Sequence, residues 1–192
     1  MLFNSLEFIF LFLPITLLIF FLIGKLGYYR LAVAFLVTAS LSFYGCWNPP
    51  YLLLLIFSLI FNYFIGSALS DKVKIPINQK LTLTIGVIVN LALIGYFKYA
   101  NFFLSSVSSL INTNFNLENI VLPLAISFFT FQQIAYLVDA YKGETKEYNF
   151  LDYCLFVTFF PQLIAGPIVH HREVMPQFAD KSTYRFNPEN IA

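Results

Sequence analysis

Between Glu7 and Lys25 the chain reads FIFLFLPITLLIFFLIG, a run without a single charge. A helix needs about 20 apolar residues, and about 17 at the short limit, to cross the roughly 30 Å hydrocarbon core of a bilayer. Three more runs of that kind follow, so the spacing predicts spans over residues 8–23, 31–47, 51–69 and 81–97. Pro14 inside the first is tolerable in a membrane, where neighbouring helices satisfy the carbonyl it frees. Tyr28, Tyr29, Trp47, Tyr51, Tyr96 and Tyr99 fall at the predicted ends, where amphipathic rings favour the headgroup level.

Composition closes the alternative of a soluble domain. The chain is 59% hydrophobic and 19% aromatic, and its 11% of charged residues is under half the roughly 25% that soluble domains use to cover their surface. The expected class is an all-α, polytopic helical membrane protein with the lipid bilayer as its first partner. A net charge of +1 gives no field for nucleic acid, and none is expected as a partner. Cys46 and Cys154 sit in apolar runs and read as reduced, buried small hydrophobes. No basic residue precedes the first run and no small-residue cleavage site follows it, so a removed signal peptide is not expected.

The charges that remain give an orientation. Lys25 and Arg30 lie between spans one and two, and Lys72, Lys74 and Lys80 between three and four, whereas the NPP connection between two and three has none. The positive-inside rule then puts the N-terminus outside and the basic loops in the cytoplasm of a multi-pass inner or plasma membrane protein. Residues 98–120 read as an interfacial segment and an outer loop. A fifth crossing is expected over residues 122–141, with Pro123 in its first turn. The next apolar run, residues 150–168, carries Asp152 near one end and Pro161-Gln162 in its middle. If it dips in and returns, ten of the eleven basic residues share one side, all but Lys98. A re-entrant segment is therefore expected, buried within the bundle, because broken backbone at membrane depth must be covered by protein or a wet cavity. With no internal repeat, the chain reads as one membrane domain over residues 1–192.

Polar residues inside the bilayer cost free energy unless satisfied, and so mark candidate function. Asn62 and Asn90 read first as hydrogen bonds between helices, and Asp139 as a residue at the cytoplasmic end of the fifth span. Gln132 and Gln133 are about 100° apart on a helix and cannot both face one neighbour, so at least one lines the bundle interior. His170 and His171 beside Glu173 lack the three- or four-residue spacing and the third ligand of a zinc site, and read as interface residues. No metal site, nucleotide loop or soluble catalytic motif is present. A channel or transporter would show charged residues in mid-span or paired broken helices in two halves, and neither is found. A non-catalytic scaffold contains the same residues and stays open.

Three stretches carry a family resemblance: WNPPYLLLLIFSLIFNYFIGSALS, LPLAISFFTFQQIAYLVDAYKGE and NFLDYCLFVTFFPQLIAGPIVHHREVMPQF, with GYFKYANFF beside them. Together they resemble the membrane-bound O-acyltransferase (MBOAT) family, and within it the bacterial alginate O-acetyltransferases and related peptidoglycan acetylases. The resemblance implies a partial MBOAT fold of about five spans plus the re-entrant segment. It also implies transfer of an acyl group from a thioester, such as acetyl-CoA or an acylated carrier protein, to a hydroxyl of an exported polysaccharide or peptidoglycan. A periplasmic acyltransferase or polymer-modifying partner completes the transfer, and no bound cofactor is expected. The funnel where donor and acceptor meet would be lined by Gln132, Gln133, Pro161, Gln162, Gly166 and Pro167. The family's catalytic histidine lies in a later span, in a context resembling W-H-G. The single tryptophan here, Trp47, is followed by Asn48, so no catalytic residue is expected in this chain and it reads as an N-terminal portion of such an enzyme.

Overall fold

The computed structural model describes residues 4–47, 49–70, 78–111, 121–144, 149–165 and 171–185. The described residues are helical throughout, with α1 Leu13–Lys25, α2 Tyr29–Gly45, α3 Pro49–Leu69, α4 Gln79–Ile94, α5 Ala100–Ile111, α6 Ile126–Tyr141, α7 Phe150–Thr158, α8 Phe160–Ala165 and α9 His171–Ala179. Three helical stretches are long and apolar enough to cross a membrane, Phe8–Lys25, Pro49–Leu69 and Gln79–Phe103, and α2 is a shorter apolar helix of 17 residues. The class this defines is a polytopic helical membrane protein.

The first span begins as a π-helical turn, Phe8–Phe12, whose widened ladder lets the Leu13 N–H reach the Phe8 carbonyl. It stands directly before Pro14, which occupies the first turn of α1. A proline lacks the N–H and crowds the carbonyl four residues back, and an inserted π turn accommodates both. The third span starts at Pro49, two residues earlier than the sequence suggests, because proline suits the first turn of a helix. A second π turn, Gly95–Tyr99, carries α4 into α5. The helix therefore runs on past Lys98, where the sequence suggests the span ends. Cys46 also departs from expectation, standing exposed at the end of α2 while Cys154 is buried.

Contacts divide the chain into two compact units, Met1–Tyr63 with Lys146–Ala192, and Phe64–Thr145. In the first unit α2 packs on α1, α7 and α8, and α7 on α9. Its aromatic core is Phe8, Phe43 and Phe160, with Phe12 and Leu13 packed against it. Phe8 meets Phe43 edge-on at 5.4 Å and Phe160 at 5.9 Å between ring centroids. Edge-to-face pairs of this kind are worth about 0.5–1.5 kcal/mol beyond their area. Such packing matters more in lipid, where burying apolar surface between helices gives no hydrophobic gain.

In the second unit α4 packs along α6. A Cβ on Gly86 would stand 2.7 Å from the end of Leu137 and 3.1 Å from Ile65, and a Cβ on Gly66 would fall on the Tyr136 ring. Glycine at both positions lets the helices approach closely, the small-residue device of membrane bundles. Asn90 is buried and donates from Nδ2 to the Gly86 carbonyl at 2.8 Å. In the first unit Asn62 does the same to Ser58 at 3.0 Å.

Candidate functional site

Two polar features stand out, one in each unit. The first is the break in the run that starts at Phe150. Asn149 caps α7, its side chain accepting from the Leu151 N–H at 3.2 Å. Tyr153 to Thr158 are all buried, and the Thr158 hydroxyl donates to the Cys154 carbonyl at 2.7 Å. The helix stops at Phe159, whose ψ of 107° leaves the helical region. The sequence points to Pro161 as the breaker, and the structure shows the break two residues upstream. Continued in helical form, Pro161 would crowd the Val157 carbonyl four residues back and offer it no N–H. The chain turns before that clash arises.

The turn closes economically. The Phe159 N–H donates to Leu155 O at 2.9 Å and ends α7, while the Phe159 carbonyl accepts from Gln162 and Leu163, at 3.0 and 2.8 Å, and starts α8. A helix start leaves its first N–H groups without intrahelical acceptors. Pro161 has no N–H to satisfy, and the buried Phe160 N–H donates to Ser40 Oγ of α2 at 3.3 Å. Ser40 is fully buried and was not legible as a site residue, since one serine in an apolar span shows nothing of its partner. Pro161 itself is exposed and Gln162 half-buried. Gly166, Pro167 and His170 lie outside the described residues, as does the side chain of His171.

The second feature lies on α6, an unbroken helix. It begins after Ala125, which holds the left-handed conformation at φ 57°. Pro123 precedes the helix rather than starting it, its carbonyl accepting from Ile126 N at 3.3 Å. Thr130, Gln132 and Gln133 are all buried to within 1% of exposure. At 100° per residue, the buried positions from Ile126 to Ala140 cover an arc of roughly 160°, with Gln132 near one edge, Thr130 near the other and Gln133 between. Both glutamines therefore face protein, each in a different direction.

Among the described residues neither side-chain atom of Gln132, nor the Thr130 hydroxyl, has a hydrogen-bond partner. A buried polar group left unmade costs about 1–3 kcal/mol, and most such groups in folded proteins are satisfied. Threonines elsewhere in the chain show the ordinary solution. Thr38, Thr84 and Thr158 each donate to the carbonyl four residues back at 2.7–2.8 Å. Thr130 does not, although Ile126 offers it the same acceptor. Thr130 is a site residue that the sequence missed, because a threonine in an apolar helix normally bonds its own backbone.

Gln132 and Gln133 belong to the second unit, and Pro161 and Gln162 to the first. Among the described residues no three His, Cys, Asp or Glu side chains are grouped as metal ligands.

Comparison with known proteins assigns the class more closely. The chain is 43% identical over its whole length to a peptidoglycan O-acetyltransferase of Helicobacter pylori. It is 39% and 40% identical, over 93% of its length, to the probable alginate O-acetylases AlgI of Pseudomonas aeruginosa and Azotobacter vinelandii. The chain is a homologue of these bacterial O-acetylases over nearly its whole length. It spans 41%, 34% and 36% of the length of those three relatives. No family model matches the chain. No solved structure matches it.

Proposed function

We propose that the chain is the N-terminal portion of a membrane-bound O-acyltransferase that acetylates hydroxyls of an exported polysaccharide or peptidoglycan. The observation that carries this reading is the 43% identity to a peptidoglycan O-acetyltransferase across the entire chain. The acceptor hydroxyl oxygen attacks the thioester carbonyl, an ester C–O bond forms as the C–S bond breaks, and the hydroxyl proton ends on the departing thiol. The donor is acetyl-CoA or an acylated carrier protein, and a periplasmic partner completes delivery to the polymer. The general base that takes the proton belongs to the remainder of the enzyme, in the later span where the family carries its histidine.

In this reading the chain contributes walls rather than the base. The chain makes five crossings and a re-entrant run over residues 150–168, with the N-terminus outside and the basic loops cytoplasmic. Cysteines introduced at Lys146 and Lys181 are expected to react with the same membrane-impermeant reagent from the same side; labelling from opposite sides would refute the re-entrant arrangement. Gln132 and Gln133 on α6 are one set of funnel candidates, and Pro161, Gln162, Gly166 and Pro167 of the broken run are the other. Support for Gln132 is its burial without a partner, since an amide in that state suits a substrate carbonyl or hydroxyl and is pre-positioned without reorganisation.

The test is acyl transfer in membranes containing the complete gene product, supplied with an acetyl-labelled thioester. Label is expected on the exported polymer, and Gln132→Ala is expected to lower the rate by roughly 100–1,000-fold, the range for losing one preorganised donor, at unchanged membrane abundance. Label absent with the wild-type protein from every thioester donor would overturn the assignment as an acyltransferase. Full activity in Gln132→Ala would remove that residue from the chamber and leave the assignment standing.

A further inference from the structure

The first unit holds a cleft of about 1630 Å³ that the proposed reaction does not use. One wall is the outer face of α1, including Leu18, Phe21 and Leu22, and the other is the 3-10 turn Lys181–Tyr184 with Arg185. Leu18 and Leu22 are 66% and 54% exposed. Lys25 in the last turn of α1, Lys181 and Arg185 also line it.

The turn is fixed against α1 by close packing. A Cβ on Gly24 would lie 2.8 Å from both the Cβ and the carbonyl oxygen of Tyr184, so only glycine admits this approach. The Tyr184 ring sits 5.3 Å from Phe20 and 4.8 Å from Tyr29 between centroids. Its hydroxyl donates to the Phe178 carbonyl at 2.7 Å. The basic residues are thus presented by a rigid frame at the end of an apolar helix.

No described acidic side chain neutralises their charges. Among the described residues Lys25, Lys181 and Arg185 have no acidic partner at salt-bridge distance, and Lys181 has only the Tyr29 ring face 6.0 Å away. Asp180, the nearest carboxylate in sequence, is engaged as a cap, accepting from Ser182 N at 2.9 Å and Ser182 Oγ at 2.6 Å. Those two bonds hold its carboxyl below the usual range, so it stays an anion committed to the turn. Asp152, the carboxylate acting on Tyr184, has Arg30 as its counter-charge. The result is a cleft with an apolar wall and three cations that have no acidic partner among the described residues, the complement of a phosphate with a hydrocarbon tail. Basic pockets at helix ends hold anionic headgroups in membranes.

We infer that this cleft binds an anionic phospholipid, its phosphate held by Lys25, Lys181 and Arg185 and an acyl chain lying along Leu18, Phe21 and Leu22. The lipid covers an exposed apolar helix face and supplies the missing negative charge together. A free anion would satisfy the cations and leave that wall uncovered.

The experiment uses the complete gene product in nanodiscs of phosphatidylcholine with and without phosphatidylglycerol, and reads the lipid retained by native mass spectrometry. Phosphatidylglycerol is expected to be retained selectively. Each basic residue replaced is expected to weaken it by roughly five-fold, and Lys25→Gln, Lys181→Gln and Arg185→Gln together by roughly 100-fold, since a basic residue near the surface contributes that much per charge. Lys98→Gln removes the same charge outside the cleft and is expected to change nothing. Lys181→Gln alone alters one exposed side chain and keeps the test valid if the triple variant fails to fold. Equal retention of both lipids would overturn the inference. So would an unchanged preference in Lys181→Gln and in the triple variant, or full displacement by inorganic phosphate at equal concentration.

Discussion

The turn between α7 and α8 breaks its helix yet has its described backbone donors taken up, whereas α6 is intact and carries buried side chains whose polar atoms have no partner among the described residues. Read from sequence, the broken run with its Pro161, Gln162, Gly166 and Pro167 attracts a functional reading, and α6 looks like an ordinary crossing. The hydrogen bonds reverse the emphasis. At the break every described donor that the turn exposes is taken up: Phe159 by Leu155, Gln162 and Leu163 by Phe159, and Phe160 by Ser40. On α6 the buried side chains of Thr130 and Gln132 have no hydrogen-bond partner among the described residues. An interrupted helix is thus no sign of stored polarity, and a regular one is no sign that its polar groups are accounted for.

The comparison breaks most sharply at the contact that sets α6 in its unit. Gly66 lies so close to the Tyr136 ring that a methyl cannot be admitted, and Tyr136 is 3% exposed, with little room to withdraw. Gly66→Ala is expected to destabilise the protein by about 3 kcal/mol, the upper end of the cost of overpacking a core. Titration with SDS in mixed micelles measures this. Gly86→Ala should cost less, because the atom it meets is the end of the flexible Leu137 side chain. If Gly66→Ala unfolds at the wild-type SDS fraction, α6 is not held by that contact.

A second measurement sharpens the contrast through the sign of an effect. Gln132→Leu removes a buried amide that has no partner among the described residues and keeps most of its volume. It is expected to stabilise the folded protein, by about 1–3 kcal/mol if the whole cost of the unmade bonds is recovered. The same change should abolish whatever the amide does in acyl transfer. Gain of stability with loss of activity marks a group kept for function. Loss of both would mean that Gln132 is hydrogen-bonded in the complete protein and holds the bundle together.

Much of the helical pattern was legible in advance because apolar length is a one-dimensional signal. The four expected spans over residues 8–97 start within two residues of observed helix or π-turn boundaries, since charges at Glu7, Lys25, Arg30 and Lys80 delimit them. The burial of at least one of Gln132 and Gln133 also followed, from the cost of polar groups in lipid, and the structure buries both. What stayed hidden depends on a second element. Proline shows that a helix must yield near Pro161, but the position is decided where Phe160 finds an acceptor on α2. The close approaches at Gly24, Gly66 and Gly86 were equally hidden, because a glycine in an apolar run looks the same whether or not another helix touches it. Thr130 was passed over because what sets it apart is a bond it does not make.

The last test falls on the satisfied side of the comparison. Ser40→Ala removes the side-chain acceptor of the Phe160 N–H and changes little else at a fully buried position. The full penalty for a buried donor is about 1–3 kcal/mol, but at 3.3 Å this bond is longer than the usual N–H···O distance of about 2.9–3.0 Å. A destabilisation of about 1 kcal/mol is therefore expected, opposite in sign to Gln132→Leu and smaller than Gly66→Ala. Acyl transfer at a temperature where the variant stays folded should be unchanged, because the bond shapes the turn and touches no reactant. Were Ser40→Ala to lose activity while keeping its stability, the broken run rather than α6 would be where the chain meets its substrate. The order of importance drawn from the hydrogen bonds would then be reversed.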